Sequence, residues 1–332
     1  MLVPQTYQAA LVLMLVSMLC WGSWANTLKI CEGYRFQLFY WDYALGVLLG
    51  AFVLGLTAGS HGSSGNPFLI DIVESPLTSM KMAALGGIVF NAANLLLVAA
   101  IDVAGLAVAF PVGIGLALIV GSVWSYIVTP KANPLLLFAG VALVTVAIVL
   151  DAAAYRKRET KAKATTTRGI VLSLVAGLLM GSFYPLVARA MQGERGNPGP
   201  GPYAIALFFA FGVMLSTFPA NWLLMWRPLD GKPRVRGKEY WDALGRWHVA
   251  GILGGMIWCA GAVTNFLGSG AHKVGPAVSY SIGQGATMVS ACWGVFVWHE
   301  FAEAPPSAKR LLAFMFAFFL LGLGAIALAP LY

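Results

Sequence analysis

Uncharged amide side chains occur where the chain is most apolar. Asn91 and Asn94 are three residues apart in one long apolar stretch, a spacing that places them on one face of a helix. Gln284 lies between Gly283 and Gly285 in another such stretch. Polar groups are costly in hydrocarbon, so we expect these amides to face other helices or a water-filled cavity. Because amides both donate and accept hydrogen bonds, they favour recognition of a polar, uncharged molecule.

Aromatic side chains and one further amide extend this candidate site. Flat aromatic faces can stack on a ring, while amides fix its orientation. The remaining solute-binding candidates at membrane depth are Trp21, Trp24, Phe110, Tyr184, Trp258, Asn265 and Tyr280. The set predicts a site for a small neutral polar metabolite such as a monosaccharide, a ureide or a purine-type nucleobase or nucleoside. For each residue the alternative is an interhelical hydrogen bond or core packing.

Ionisable side chains lie at the ends of the apolar stretches rather than in their middles. A proton-coupled carrier needs a group that titrates while it is exposed to one side of the membrane at a time. The candidates for proton coupling are Asp42, Asp102, His272 and Glu300. The alternative is that each is a solvated charge at a helix end. Proton coupling and gradient-independent transport therefore both remain open at this stage.

The motifs of common enzymes do not occur in the sequence. It contains no G-x-x-x-x-G-K, no H-E-x-x-H and no G-x-S-x-G, which argues against ATP hydrolysis and hydrolase chemistry. The four cysteines show no metal-ligand spacing. We therefore expect no catalytic residues, no metal and no cofactor.

Long apolar segments dominate the composition. The 332 residues are 59% hydrophobic and 10% charged, too few charges to cover a soluble domain. Apolar blocks of this length cross a hydrocarbon core of about 30 Å as helices. The sequence predicts an all-α membrane protein with ten transmembrane helices, at about 8–28, 41–59, 80–100, 104–128, 134–153, 169–190, 203–226, 248–269, 274–298 and 310–330.

Basic residues are distributed unevenly between the two sets of loops. The net charge is +8, and most of it lies in 156–168 and 227–246. Such loops are typical of cytoplasmic segments beside anionic lipid rather than of nucleic-acid binding. With ten crossings, one side holds 16 of the 21 lysines and arginines, so both termini are predicted outside. The partners expected are membrane lipid and the solute, with the chain a monomer or a homodimer.

The two halves of the chain resemble each other. Residues 1–153 and 169–332 each contain five predicted helices, joined by a basic cytoplasmic linker at 154–168. An odd number of crossings per half inverts the second repeat relative to the first. "GGIVFNAANLLLVAAIDVAGLAVAFPVGIGLAL" (86–118) aligns with 254–288, which matches Gly105 to Gly275. Matched interruptions in inverted repeats indicate a transporter's binding site, although close helix packing also uses glycine. The predicted hinge or helix-break residues are Pro111, Gly113, Gly115, Pro185, Gly283 and Gly285.

Four segments resemble a known family. They are "LCWGSWANTLK" (19–29), "FYWDY" (39–43), the stretch 86–118 quoted above and "WGVFVWHEF" (293–301). They are similar to the ureide permease and glucose/rhamnose porter branch of the drug/metabolite transporter superfamily. The resemblance implies a proton-driven carrier of monosaccharides, ureides or oxo-purines in a bacterial inner membrane. It also implies functional roles for Trp21, Trp24 and Asp42, and it strengthens the assignment of Asn91 and Asn94.

These observations predict a secondary active transporter with alternating access and two inverted five-helix repeats. Two other functions stay open. The tryptophan- and methionine-rich composition would also suit an exporter of apolar or amphipathic drugs. A membrane receptor or enzyme without net transport is the alternative from another class.

Overall fold

The computed structural model describes residues 1–158, 167–194, 199–228, 232–271 and 273–332. Within these ranges the fold is all-helical and contains no strand. A π-helix, Trp293–Val297, precedes the last long helix, and a 3₁₀ turn, Ala329–Leu331, follows it. The α-helices are α1 (Tyr7–Ser23), α2 (Asn26–Lys29), α3 (Phe36–Leu56), α4 (Phe68–Glu74), α5 (Leu77–Ala104), α6 (Leu106–Val128), α7 (Pro134–Arg158), α8 (Thr167–Gln192), α9 (Pro202–Trp226), α10 (Gly237–Trp241), α11 (Gly245–Gly270), α12 (Gly275–Gly283), α13 (Ala286–Cys292) and α14 (Pro306–Leu328).

Nine segments in the described ranges are long and apolar enough to cross a membrane. They correspond to nine of the ten predicted blocks, with α1 and α2 forming the first. The block predicted at 274–298 is different, because it consists of α12, α13 and the π-helix in succession. The membrane-helical class is confirmed, whereas the count of continuous spanning helices is one fewer than the sequence predicted.

The break between α12 and α13 lies at the predicted glycine pair. A Cβ atom on Gly283 would lie 2.6 Å from the Trp21 ring, and one on Gly285 would lie 2.4 Å from the Met18 sulfur. Both contacts are with α1. The two glycines therefore let α1 approach the backbone more closely than any larger residue would allow.

The corresponding interruption in the first half is not present. α6 runs unbroken through Pro111, Gly113 and Gly115, and α8 runs unbroken through Pro185. The structure therefore has no helix break at these four residues, contrary to the prediction. A proline removes one hydrogen bond from a helix, and here the remaining bonds and tertiary packing maintain the helical path. Gly115 has no atom within 4 Å of the position that a Cβ would take.

Matched glycines make matching contacts in the two halves. A Cβ on Gly87 in α5 would lie 2.0 Å from the Phe209 carbonyl oxygen in α9. A Cβ on Gly255 in α11 would lie 2.1 Å from the Tyr43 carbonyl oxygen in α3. Gly105 and Gly275, before α6 and α12, have φ angles of 80° and 76°. Left-handed backbone of this kind favours glycine.

Replacing Gly87 with alanine should destabilise the protein by about 3 kcal/mol, because the new methyl group would overlap the backbone of α9. Thermal unfolding in detergent measures the effect. Gly324→Ala in α14 is the matched control, since no atom lies within 4 Å of its Cβ position. Equal melting temperatures for the two variants would contradict the close packing of α5 on α9.

Contacts between loops and helix ends define the two ends of the bundle. At the first end, Arg35 Nη1 donates to the Pro233 carbonyl oxygen, and Glu300 pairs with Lys29 and Arg158. We call this end the basic face. At the other end, the opposite face, Tyr203 donates to the Leu2 carbonyl oxygen, and the Met1 ammonium donates to the Ser64 carbonyl oxygen.

Candidate functional site

A cavity of about 630 Å³ enters the bundle from the basic face. Gly33, Arg35 and Lys232 line its mouth, and its walls come from α1, α5, α6, α8, α11, α12 and α13. Its volume is in the usual range for small-molecule sites. Six predicted solute-binding residues line it, namely Trp21, Trp24, Phe110, Asn94, Trp258 and Gln284.

Two tryptophans form the inner wall of the cavity. The rings of Trp21 and Trp258 are stacked, with centroids 5.9 Å apart and planes 19° apart. Trp21 Nε1 donates to the Trp258 carbonyl oxygen at 3.2 Å, which fixes α1 against α11 at this point. Phe90 also packs against Trp258, with centroids 4.4 Å apart. The wall presents flat apolar surface at the depth where the amides lie.

Polar atoms that no described residue engages in a hydrogen bond line the same space. Asn94 Nδ2 donates to the Tyr40 hydroxyl at 3.0 Å. No described residue donates to Asn94 Oδ1, and none makes a hydrogen bond with the Gln284 amide. Thr287 and Ser290 also line the cavity, one and two turns beyond Gln284. Sequence reasoning missed these two residues, although their spacing from Gln284 places them on its face of the helix.

Buried aromatic rings close the inner end of the cavity. We call this cluster the aromatic floor; it consists of Phe183, Tyr184, Phe209, Phe266 and Tyr280. Tyr184 and Tyr280 have ring centroids 5.0 Å apart, and Phe183 contacts both Tyr184 and Tyr280. All five are nearly inaccessible to solvent. The floor separates the cavity from the opposite face.

Two predicted solute-binding tyrosines belong to this floor and do not line the cavity. The Tyr184 hydroxyl donates to Asn265 Oδ1, and the Tyr280 hydroxyl donates to the Ala117 carbonyl oxygen at 3.1 Å. Asn265 does not line the cavity either, because its Nδ2 donates to Ser17 Oγ and the Ser279 carbonyl oxygen. In this conformation these side chains hold helices together.

Asn91 lies behind the cavity wall. Its Oδ1 accepts from the Tyr40 hydroxyl at 2.7 Å, and its Nδ2 donates to Ser216 Oγ at 2.9 Å. Asn91 is fully buried, whereas its neighbour Asn94 reaches the cavity. The shared helical face that the sequence predicted thus contains one cavity residue and one supporting residue.

Asp42 is the centre of a polar cluster beside the cavity mouth. The carboxylate is 1% exposed and accepts from Tyr240 at 2.6 Å and Tyr34 at 3.1 Å. His248 Nδ1 lies 2.9 Å from Asp42 Oδ2. Burial and the nearby carboxylate raise the pKa of Tyr34 and Tyr240, so both phenols stay protonated and donate. We call these four residues the Asp42 cluster.

Sequence reasoning did not find His248. It is the first residue of the eighth apolar block and lies 206 residues from Asp42, so no local spacing connects them. Only the packing of α11 against α3 brings the imidazole to the carboxylate. Tyr34 belongs both to this cluster and to the cavity lining.

The other proton-coupling candidates have different surroundings. Asp102 lines the cavity near its mouth. Glu300 is paired with Lys29 and with Arg158, the latter at 2.6 Å. Burial raises the pKa of Glu300, but the hydrogen bonds and charges of Lys29 and Arg158 outweigh burial and lower it. His272 lies outside the described residues.

Replacing Glu300 with glutamine should destabilise the protein by about 1 kcal/mol at pH 7, since partly exposed ion pairs contribute on this scale. A carboxyl with a lowered folded-state pKa stabilises above its unfolded pKa, and that stability is lost as pH falls through the folded value. The difference from wild type should therefore shrink as the pH is lowered below about 4.3, the ordinary glutamate pKa. Melting curves against pH test this. Glu303→Gln, at an exposed position in the same loop, should match wild type throughout.

Comparison with known proteins gives consistent matches. The sequence model of the ureide permease family matches residues 39–168. Ureide permease 1 of Arabidopsis thaliana is 23% identical over 380 aligned positions, which cover 96% of each chain. Ureide permease 4 of the same plant is 24% identical over 393 positions, also covering 96% of each chain.

A solved crystal structure superposes on this chain with a TM-score of 0.62 at 14% identity. The superposition covers 95% of this chain and 96% of the other, and it shows a shared fold alone. The relatives are named permeases rather than enzymes. Together with the nine apolar spans in the described ranges, these matches confirm the resemblance to the ureide permeases. The chain is a membrane transporter similar to the ureide permeases.

Proposed function

We propose that the chain is an alternating-access secondary transporter of a small neutral polar solute that contains ureide or lactam groups. The observation that carries the proposal is the composition of the cavity. Stacked indoles lie beside Asn94 Oδ1 and the Gln284 amide, which have no hydrogen-bond partner among the described residues. A planar ring with N–H and C=O groups would satisfy both features.

The distribution of charge supports a neutral solute. Arg35, Asp102 and Lys232 line the cavity near its mouth, whereas the residues beside Trp258 and Gln284 are uncharged. A charged solute held deep in the cavity would lack a counter-charge there. An apolar drug would leave the amides without hydrogen-bond partners, which is costly in a partly buried site. The chemistry therefore favours a polar metabolite over the exporter alternative.

Matched contacts in the two halves support inverted repeats that rock around the cavity. The pairs Gly87 with Gly255 and Gly105 with Gly275 occupy corresponding places. The packing of α5 on α8 and α9 resembles the packing of α11 on α1 and α3. In alternating access, opening toward the opposite face would require the aromatic floor to separate.

We propose Asp42 as the proton-coupling residue, with His248 as its partner. The two groups lie 2.9 Å apart at the cavity mouth, and Tyr34 connects them to the cavity lining. A carboxylate and an imidazole in contact can pass a proton from one to the other. Glu300 is less suited to this role, because its two cationic partners keep it ionised.

A binding screen tests the solute class. Purified protein is heated with allantoin, hydantoin, hypoxanthine, adenosine and D-glucose in turn, since a bound ligand raises the melting temperature. We expect a rise with the ureides or the oxo-purine, followed by uptake into liposomes driven by an inward proton gradient. If glucose alone raised the melting temperature, the solute class would be a sugar rather than a ureide or lactam. If no ligand that binds were taken up, transport would be contradicted.

We place the basic face in the cytoplasm of a bacterial cell and both termini outside its inner membrane. The 16-to-5 bias of basic residues supports this orientation. In a cysteine-free background, Tyr332→Cys should react with a membrane-impermeant maleimide on intact spheroplasts. Lys157→Cys, at the exposed end of α7, should react only after lysis. The reverse pattern would invert the assignment.

A further inference from the structure

A directional chain of hydrogen bonds runs behind the cavity wall. It begins at Ser216 and Thr217 in α9, passes through Asn91 and Tyr40, and ends at Asn94. Each of its links joins two different helices, and Asn91 and Asn94 lie on successive turns of α5. The direction of each link follows from the number of protons that each group carries.

The first links are set by two hydroxyl groups. Ser216 Oγ donates to the Gly212 carbonyl oxygen at 2.7 Å, and Thr217 Oγ1 donates to the Val213 carbonyl oxygen at 2.8 Å. A hydroxyl has a single proton, so both oxygens can only accept from Asn91. Their partner must therefore be the Asn91 NH₂ group, at 2.9 and 3.2 Å. This leaves Asn91 Oδ1 pointing toward Tyr40.

The remaining links follow in turn. Asn91 Oδ1 is an acceptor, so Tyr40 uses its only proton on it, at 2.7 Å. The Tyr40 oxygen can then only accept, and it accepts from Asn94 Nδ2 at 3.0 Å. Tyr40 is completely buried, so no bulk water competes for these bonds. Reversing the Asn94 amide would put its carbonyl oxygen against the lone pairs of the Tyr40 oxygen.

We infer that Tyr40 and Asn91 are positioning residues that hold the carbonyl oxygen of Asn94 toward the cavity, so that the transported solute must present an N–H or O–H donor to it. The requirement for a donor rests on the proposed function, whereas the orientation of the amide does not. Sites built around a fixed hydrogen-bonding group reject analogues that lack its partner. Tyr40 thus contributes to specificity without touching the solute.

Tyr43 provides a matched control for Tyr40. It lies one turn along α3, is equally buried, and its ring contacts the Tyr40 ring with centroids 5.2 Å apart. Its hydroxyl makes no hydrogen bond with any described residue. Tyr43→Phe therefore removes the same atom as Tyr40→Phe without interrupting the chain of hydrogen bonds.

The ligand test compares hydantoin with 1-methylhydantoin, 3-methylhydantoin and 1,3-dimethylhydantoin in binding to detergent-purified protein. In wild type and Tyr43→Phe, at least one N-methylation should weaken binding by about tenfold or more, because Asn94 Oδ1 loses its donor. In Tyr40→Phe, hydantoin should bind more weakly than in wild type. The ratio of the affinity for hydantoin to that for the discriminated N-methyl analogue should fall toward one, since the Asn94 amide is free to turn. If Tyr40→Phe weakened the binding of all four ligands by the same factor relative to wild type, the donor requirement would be overturned.

A second measurement needs no ligand, so it separates failure of this inference from failure of the proposed function. The infrared C–O band of Tyr40 is isolated as the difference between wild type and Tyr40→Phe. Accepting a hydrogen bond lowers this frequency and donating one raises it. Asn94→Ala removes the bond that the Tyr40 oxygen accepts, so the band should move to higher frequency. A shift to lower frequency would mean that Tyr40 donates to Asn94, and it would overturn the inference even if hydantoin binds.

Discussion

Replacing Gln284 with alanine should weaken solute binding and uptake by about 10- to 100-fold, because a bound solute loses a hydrogen-bond partner in a partly buried site. Gln284 lies at the break between α12 and α13 and lines the cavity. Its amide makes no hydrogen bond with any described residue, so the folded protein loses little when it is removed. The melting temperature without ligand should therefore stay close to that of wild type.

Equilibrium binding and initial uptake rates in liposomes measure the effect on Gln284→Ala. Gln8→Ala is the matched control, since it removes an exposed amide from α1 far from the cavity lining. Uptake by Gln8→Ala should equal that of wild type. Unchanged affinity in Gln284→Ala would show that the solute does not reach the break between α12 and α13.

Replacing Asp42 with asparagine should abolish proton-driven accumulation while leaving solute exchange intact. The amide keeps the shape of the side chain, and its one oxygen can still accept a hydrogen bond from Tyr34 or from Tyr240, but it has no proton to release. A gradient of one pH unit supports about tenfold accumulation per proton, since about 1.4 kcal/mol corresponds to a factor of ten. The variant should therefore reach an inside-to-outside ratio of about one.

Counterflow in preloaded liposomes measures exchange, and net uptake under an imposed pH gradient measures coupling. Asp242→Asn, which removes an exposed carboxylate after α10, should behave like wild type in both assays. His248→Gln should keep exchange and lose proton coupling, because glutamine can hydrogen-bond but cannot take up a proton. Normal accumulation by Asp42→Asn would exclude Asp42 as the coupling residue.

The cavity residues show how far the sequence could predict the site. Polar or aromatic side chains at membrane depth had to face protein or water, and Trp21, Asn94, Trp258 and Gln284 do line the cavity. The same argument selected Tyr184, which lies in the aromatic floor. The free-energy cost of a polar side chain in lipid excludes that side chain only from the lipid-facing surface. It does not distinguish a position in a cavity wall from one in a contact between helices.

The spacing of residues along the sequence also could not predict contacts between residues that are distant in the chain. Tyr40 and Asn91 are 51 residues apart, and Asp42 and His248 are 206 residues apart. Each residue by itself has the features of an ordinary helix position. Their roles depend on which helices pack together, and side-chain packing between helices has no short-range signature.

Composition and periodicity determined that this chain is a helical membrane protein, because each apolar block must satisfy its own backbone hydrogen bonds in lipid. They also located Gly283 and Gly285, where the ninth block breaks, and Gly105, where α5 turns into α6. Only the tertiary structure decided that α6 stays continuous and that Asn91 supports the site rather than lining it. Those outcomes depend on close contacts between helices far apart in sequence, where a few tenths of an ångström decide whether a side chain fits.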